Sequence, residues 1–151
     1  MIIEILDKDH YPLWRDQISR LIDDSSKINF SDYDLGSDYG KEKAAKAEEY
    51  MKTGAATIFA AHEEDVLVGW VWSHPIERFN KTRLHIAEIA IDERFRGKGL
   101  GSELLSFVEN YAAENGFEEM DLMVTAENDA AVEFYKKDGF EAERYLMKKV
   151  L

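Results

Sequence analysis

Three glycines and two cations fall within six residues, Arg96-Gly97-Lys98-Gly99-Leu100-Gly101. An apolar run, Leu84–Ile91, leads toward them, and an amphipathic stretch follows directly. Glycine lets backbone come close to a bound group, because no Cβ stands in the way. The amides freed by such a turn act together with the positive end of the following helix dipole. They suit an anion, phosphate above all. Two common phosphate motifs are excluded by spacing. Lys98 is followed by Gly99 rather than Ser or Thr, so there is no Walker loop. Glycines at 97, 99 and 101 do not make G-x-G-x-x-G. What remains is Arg-x-x-Gly-x-Gly at Arg96, Gly99 and Gly101. Arg94, Arg96 and Lys98 are the candidate phosphate partners. Taken alone, the same residues also read as a glycine-punctuated turn with solvated cations.

Glu88 is the second candidate. It lies inside the apolar run and, by simple alternation, shares a face with Ile86 and Ala90. An ionised carboxylate there is costly unless paired, and burial raises its pKa toward that of a general base. The competing reading is a structural ion pair, with Arg83 or another cation, or a carboxylate turned to solvent at a bulge. Tyr135 offers a phenol that is protonated at neutral pH and can donate a proton. On periodicity alone, Phe134 and Tyr135 are equally well core aromatics of a helix. Asn128 stands where a helix N-cap belongs.

The chain has 151 residues, enough for one domain over 1–151 with a real core. Its net charge of −12 disfavours nucleic acid as a partner. The acidity keeps the protein in solution or draws in a cationic substrate. Zero cysteines exclude disulfides and thiol nucleophiles and agree with a cytoplasmic location. His10, His62, His74 and His85 lack metal-ligand spacing, so no metal is expected. No apolar run approaches a membrane span, and the N-terminus does not read as a secretory signal.

The elements that must position these groups are legible in order. Met1–Leu6 reads as a strand. A helix starts at His10-Tyr11-Pro12, buries Leu13, Trp14, Ile18, Leu21 and Ile22, and ends near Asp23–Ser26. An acidic, aromatic loop runs from Asn29 to Gly40, then an Ala/Lys/Glu-rich helix from Lys41 to Lys52. Ala56–Ala61 and Val66–Ser73 form a hairpin, Arg78–Arg83 a loop, and Leu84–Ile91 a central strand. A helix over Leu100–Asn115, a strand at Met120–Val124, a helix over Glu127–Lys137 and a last strand at Tyr145–Leu151 complete the chain. This order predicts one mixed α/β sheet with about four helices on both faces.

In that order the chain resembles the GNAT superfamily of acetyl-CoA-dependent N-acetyltransferases. Two segments carry the resemblance. Ile91-Asp92-Glu93-Arg94-Phe95-Arg96-Gly97-Lys98-Gly99-Leu100-Gly101 is similar to the family's pyrophosphate loop, with Glu93 where members often have Pro. Asn128-Asp129-Ala130-Ala131-Val132-Glu133-Phe134-Tyr135-Lys136-Lys137-Asp138-Gly139-Phe140 is similar to the signature Asn-x-x-Ala-x-x-Phe-Tyr-x-x-x-Gly-Phe. Glu88 within the central strand is a third point of likeness. The resemblance implies a mostly antiparallel sheet of six to seven strands, splayed between Leu84–Ile91 and Met120–Val124. Acetyl-CoA would enter as cosubstrate, with its thioester in the gap. Arg96, Gly97, Lys98, Gly99, Leu100, Gly101 and Ser102 would hold the pyrophosphate. Backbone of Ile89, Ala90 and Ile91 would meet the pantetheine arm as an added strand. Asn128 would bond to the arm, and Tyr135 would lie near the sulfur.

Acetyl transfer to an amine needs a neutral nucleophile, donors for the oxyanion and a proton for the departing thiolate. Glu88 is the candidate base and Tyr135 the candidate acid. Acceptor recognition falls to Asp23–Tyr39 and to the 74–83 loop. Carboxylates and aromatic rings there suit a small cation, such as a polyamine or aminosugar. The alternatives are a protein lysine or N-terminus as acceptor, and a non-catalytic acyl-CoA-binding sensor. A homodimer would follow if Tyr145–Leu151 formed an exposed edge strand.

Overall fold

The computed structural model describes residues 1–151. Five strands form one sheet: β1 (Ile2–Ile5), β2 (Thr57–Glu63), β3 (Val66–Arg78), β4 (Lys81–Ile91) and β5 (Glu119–Leu122), side by side in that order. Neighbours from β1 to β4 pair antiparallel, and β4 and β5 pair parallel. The helices are α1 (Tyr11–Asn29), α2 (Tyr39–Lys52), α3 (Leu100–Glu114) and α4 (Asp129–Lys137).

Strand alternation divides the interior into two layers. On β2, Ile58 and Ala60 face α1 and α2, where they meet Ile18, Ile22, Ala44 and Ala47. Phe59 and Ala61 face α3 and pack with Leu104, Leu105 and Val108. Helices therefore cover both faces, as the sequence pattern predicts. The first layer is also pinned by polar contacts. Tyr11 Oη donates to Ala44 O at 2.7 Å, and Arg15 clasps the buried Glu48 at 2.8 and 2.7 Å. Helix α1 runs past its expected end near Ser26. Ser25 and Ser26 do not break it, because their hydroxyls donate back to Ile22 O and Asp23 O.

Three expectations fail. The sheet has five strands, not six to seven, and Tyr145–Leu151 is not a strand. Tyr-Leu-Met-Lys-Lys-Val-Leu does not alternate, so either face of a strand there would carry both lysine and apolar groups. The tail is tied by side chains instead. Arg83 binds Glu143 at 2.8 and 2.7 Å, and Lys148 Nζ donates to Tyr33 Oη at 2.7 Å. The edge strand on which a homodimer was expected is thus absent. The Arg78–Arg83 loop is also replaced, by a two-residue hairpin turn at Phe79-Asn80. Both residues have positive φ, 52° and 61°, as a type I′ turn requires. No glycine announces this turn, so the sequence hides it.

Candidate active site

The site begins with an irregularity in β4. Trp72 of β3 pairs with Glu88, but the next residue, Ser73, pairs with Ile86. Ala87 is therefore an extra residue, a β-bulge. A bulge turns two neighbours toward one side and re-aims the side chain beside it. Ala87 packs with the α1/α2 layer, and Glu88 meets Lys43 of α2 on the same side. Ile86 lies in the α3 layer. Glu88 thus shares its face with Ala90 but not with Ile86, a correction to simple alternation.

Arg83, the structural partner considered for Glu88, is engaged elsewhere. It reaches Glu119 at 2.8 Å, Asp121 at 3.2 Å and Glu143 at 2.7 Å. Glu88 has only a long contact, 3.9 Å from Oε2 to Lys43 Nζ, and its side chain is 15% exposed. Burial pushes the Glu88 carboxyl above the usual range, and the Lys43 cation pulls it partly back. Lys43 Nζ also sits 5.6 Å from the Tyr39 ring centre and 6.0 Å from that of Trp72. Sequence reading passes over Lys43 as one cation of an Ala/Lys/Glu helix. Its spacing of four from Tyr39 is the trace of this cluster in the sequence.

Beside Glu88 the sheet comes apart. Pairing of β4 with β5 runs from Arg83 opposite Glu119 to Ile86 opposite Leu122 and then ends. Strand β4 continues through Ile89, Ala90 and Ile91 without β5. After β5 the chain leads to the end of α1 instead. Thr125 Oγ1 donates to Asn29 O at 3.0 Å, and Asn128 Nδ2 donates to Asn29 Oδ1 at 2.8 Å. Asn128 Oδ1 accepts from Ala131 N at 3.2 Å, so Asn128 is the N-cap of α4. Helix α4 carries Tyr135 between Phe134 and Phe140, with ring centres 5.3 and 5.7 Å away. Burial first, and then the Glu88 charge, push the Tyr135 phenol up to about 12. It is a neutral proton donor throughout the physiological range.

The glycine loop stands at the far end of β4. Asp92 caps a short 3₁₀ turn, Glu93–Phe95, and its carboxylate holds the Arg94 guanidinium at 3.0 and 2.7 Å. Arg94 is thus paired within the loop, while its side chain stays 67% exposed. Arg96 Nε donates to Ile91 O at 3.0 Å, and Lys98 Nζ lies 5.6 Å from the Phe95 ring centre. Gly97 and Gly99 have φ of 72° and 85°, and Gly99 is the N-cap of α3. The first intrahelical bond is Glu103 N to Gly99 O, so the amides of Leu100, Gly101 and Ser102 precede it. A Cβ on Gly99 would meet nothing within 4 Å, which leaves the helix start open. Gly101 differs. Its Cβ would lie 2.9 Å from Phe134 Cζ, so this glycine lets α4 close against α3.

Two expected acceptor regions serve the scaffold in part. Asp23 Oδ1 accepts from Gly40 N at 2.8 Å and fixes the start of α2, and the 74–83 segment is the β3–β4 hairpin. No helix is long and apolar enough to cross a membrane.

Comparison with known proteins is consistent with this arrangement. The family model for the acetyltransferase (GNAT) family matches residues 5–140. An uncharacterized N-acetyltransferase of Methanocaldococcus jannaschii is 33% identical over 129 residues, covering 80% of this chain and 56% of that protein. The chain spans about half the length of the curated relatives it matches. Among solved structures, a Bacillus halodurans protein superposes with a TM-score of 0.84 at 17% identity, covering 100% of this chain and 99% of the other. An aminoglycoside acetyltransferase from an uncultured soil metagenomic sample, solved with sisomicin, gives 0.75 at 20% identity, covering 99% and 94%. At such identities the likeness is one of fold.

Proposed function

The chain belongs to the acetyltransferase (GNAT) family, and from that premise we propose that it is an acetyl-CoA-dependent N-acetyltransferase acting on a primary amine. The observation that carries the reading is the parting of β4 from β5 beside a largely buried carboxylate. The residues fit the cosubstrate. The free amides of Leu100, Gly101 and Ser102, with Arg96 and Lys98, would hold its pyrophosphate. Ile89, Ala90 and Ile91 pair with β3 on one side only, and the edge that β5 leaves open would take the pantetheine arm by strand addition. Asn128, already bonded to Ala131 and Asn29, would meet the arm with its remaining bonding capacity. When bound, acetyl-CoA supplies the acetyl group as a thioester.

The protein's own work is to move protons. Glu88, with its raised pKa, would accept the proton that the acceptor ammonium must lose, directly or through water. Tyr135 would return a proton to the departing sulfur. Glu88, Tyr39 and Trp72 lie around an ammonium, that of Lys43, and would suit a cationic acceptor in the same way. That cluster, with the net charge of −12, favours a small cationic amine.

Thiol release from acetyl-CoA across a panel of polyamines, aminosugars, aminoglycosides and lysine peptides tests the reading. Release with a small cationic amine supports it, and release with peptides alone would make the acceptor a protein. Tight acetyl-CoA binding with no release under any acceptor would mark a binding module and overturn catalysis.

A further inference from the structure

Lys43 is the residue the proposed reaction leaves unused, and it occupies the place an acceptor amine would take. It reaches Glu88 across 3.9 Å from α2, and the Tyr39 and Trp72 rings lie beside its ammonium. An anion and aromatic faces are what a cationic acceptor needs. Its side chain is 35% exposed, so its ammonium can be reached from outside. Lys41 and Lys46 on the same helix are exposed, and neither has a contact with Glu88.

We propose that Lys43 is itself an acceptor, and that the protein acetylates this side chain when an acetyl thioester is bound and no external amine competes. The inference rests on the N-acetyltransferase reading above. In the step, Glu88 takes a proton from the Lys43 ammonium. The neutral Nζ attacks the thioester carbonyl carbon, the C–N bond forms and the C–S bond breaks. The thiolate takes the Tyr135 proton, the attacking nitrogen sheds its second proton to solvent as the amide forms, and the proton on Glu88 passes through solvent to restore the phenol. One acetyl-CoA yields one acetyl-lysine, one CoA thiol and one proton. Tethering favours the reaction, since the amine is already positioned at the base. The product amide carries no charge, so it would leave Glu88 without its cation and free the acceptor place for an external ammonium.

The test is intact mass and peptide mapping of the full chain after incubation with acetyl-CoA alone. The expected result is one acetyl group per chain, on Lys43, with Lys41 and Lys46 bare. The rate per chain stays constant over a broad dilution series, because the reaction is intramolecular. Lys43→Arg abolishes the added mass, and Glu88→Gln slows it by about a hundredfold or more. Lys43 reactivity toward a small activated acetyl ester is measured in parallel, to establish that the amine is accessible in both proteins without CoA. Equal labelling of Lys41, Lys43 and Lys46, or labelling that Glu88→Gln leaves unchanged, would overturn the proposal as simple chemical acetylation. Active transfer to an amine in the panel, with Lys43 still bare after incubation with acetyl-CoA alone, would overturn it alone. Failure of acetyl-CoA to bind, seen by calorimetry, would overturn it together with the transferase reading.

Discussion

Replacing Lys43 with Met removes a cation 3.9 Å from the Glu88 carboxylate and keeps much of the side chain's length. At an effective dielectric near 20 the lost attraction is about 4 kcal/mol. Lys43 is 35% exposed, so solvent screens most of this, and about 1 kcal/mol remains. The sign follows from linkage. Burial raises the folded pKa of Glu88, so the folded chain holds that proton more tightly than the unfolded chain. This contribution to stability is full below the ordinary 4.5 and is lost as pH rises through the folded value. Without Lys43 the folded value rises further, so the loss deepens and extends to higher pH. Urea denaturation of wild type, Lys43→Met, Glu88→Gln and the double variant reads it out. Lys43→Met should cost about 1 kcal/mol more at alkaline than at acidic pH. In the Glu88→Gln background that pH-dependent part should vanish. Glu88→Gln alone should make stability at neutral pH rise, because a neutral amide replaces a poorly solvated charge. Any pH-independent cost of Lys43→Met belongs to Tyr39 and Trp72. A double-mutant coupling indistinguishable from zero at alkaline pH would refute the electrostatic link between Lys43 and Glu88.

Tyr135→Phe keeps the ring contacts with Phe134 and Phe140 but removes the donor. Turnover in the thiol-release assay should fall by about a hundredfold or more while acetyl-CoA affinity by calorimetry barely changes. Equal turnover would remove Tyr135 as the acid. Gly99→Val forces a β-branched residue to φ of 85° at the helix start. It should destabilise by about 1–2 kcal/mol and weaken acetyl-CoA binding, so unchanged affinity would exclude the glycine loop as the phosphate cradle. Gly101→Ala would gain about 1 kcal/mol of helix propensity but place a Cβ 2.9 Å from Phe134. Overpacking of about 1–3 kcal/mol should prevail, and a raised denaturation midpoint would show that Phe134 yields freely.

What the sequence discloses here is local, and what it conceals is decided between segments. The glycine loop and the α4 segment are legible because backbone angles and caps are set within a few residues. Gly97, Gly99 and the Asn128 cap sit where their types require. The hairpin at Phe79-Asn80 is concealed because neither residue is glycine, and pairing along β3 and β4 holds both at positive φ. The absent last strand is a matter of pattern: apolar residues alone do not make a strand when lysines break the alternation. Ala87 is the most consequential concealment. Nothing in Ile86-Ala87-Glu88 announces a bulge, since its register is set by Trp72 and Ser73 on the neighbouring strand. Without it, Glu88 would fall on the same side as Ile86, as simple alternation implies, and away from Lys43. With it, Glu88 turns toward α2 while Ile89 and Ile91 stay in the α3 layer. The β4–β5 ladder ends at Ile86, the residue before the bulge. A single inserted residue thus aims the carboxylate at the point where β4 loses its partner, and so ties the candidate base to the candidate cosubstrate gap.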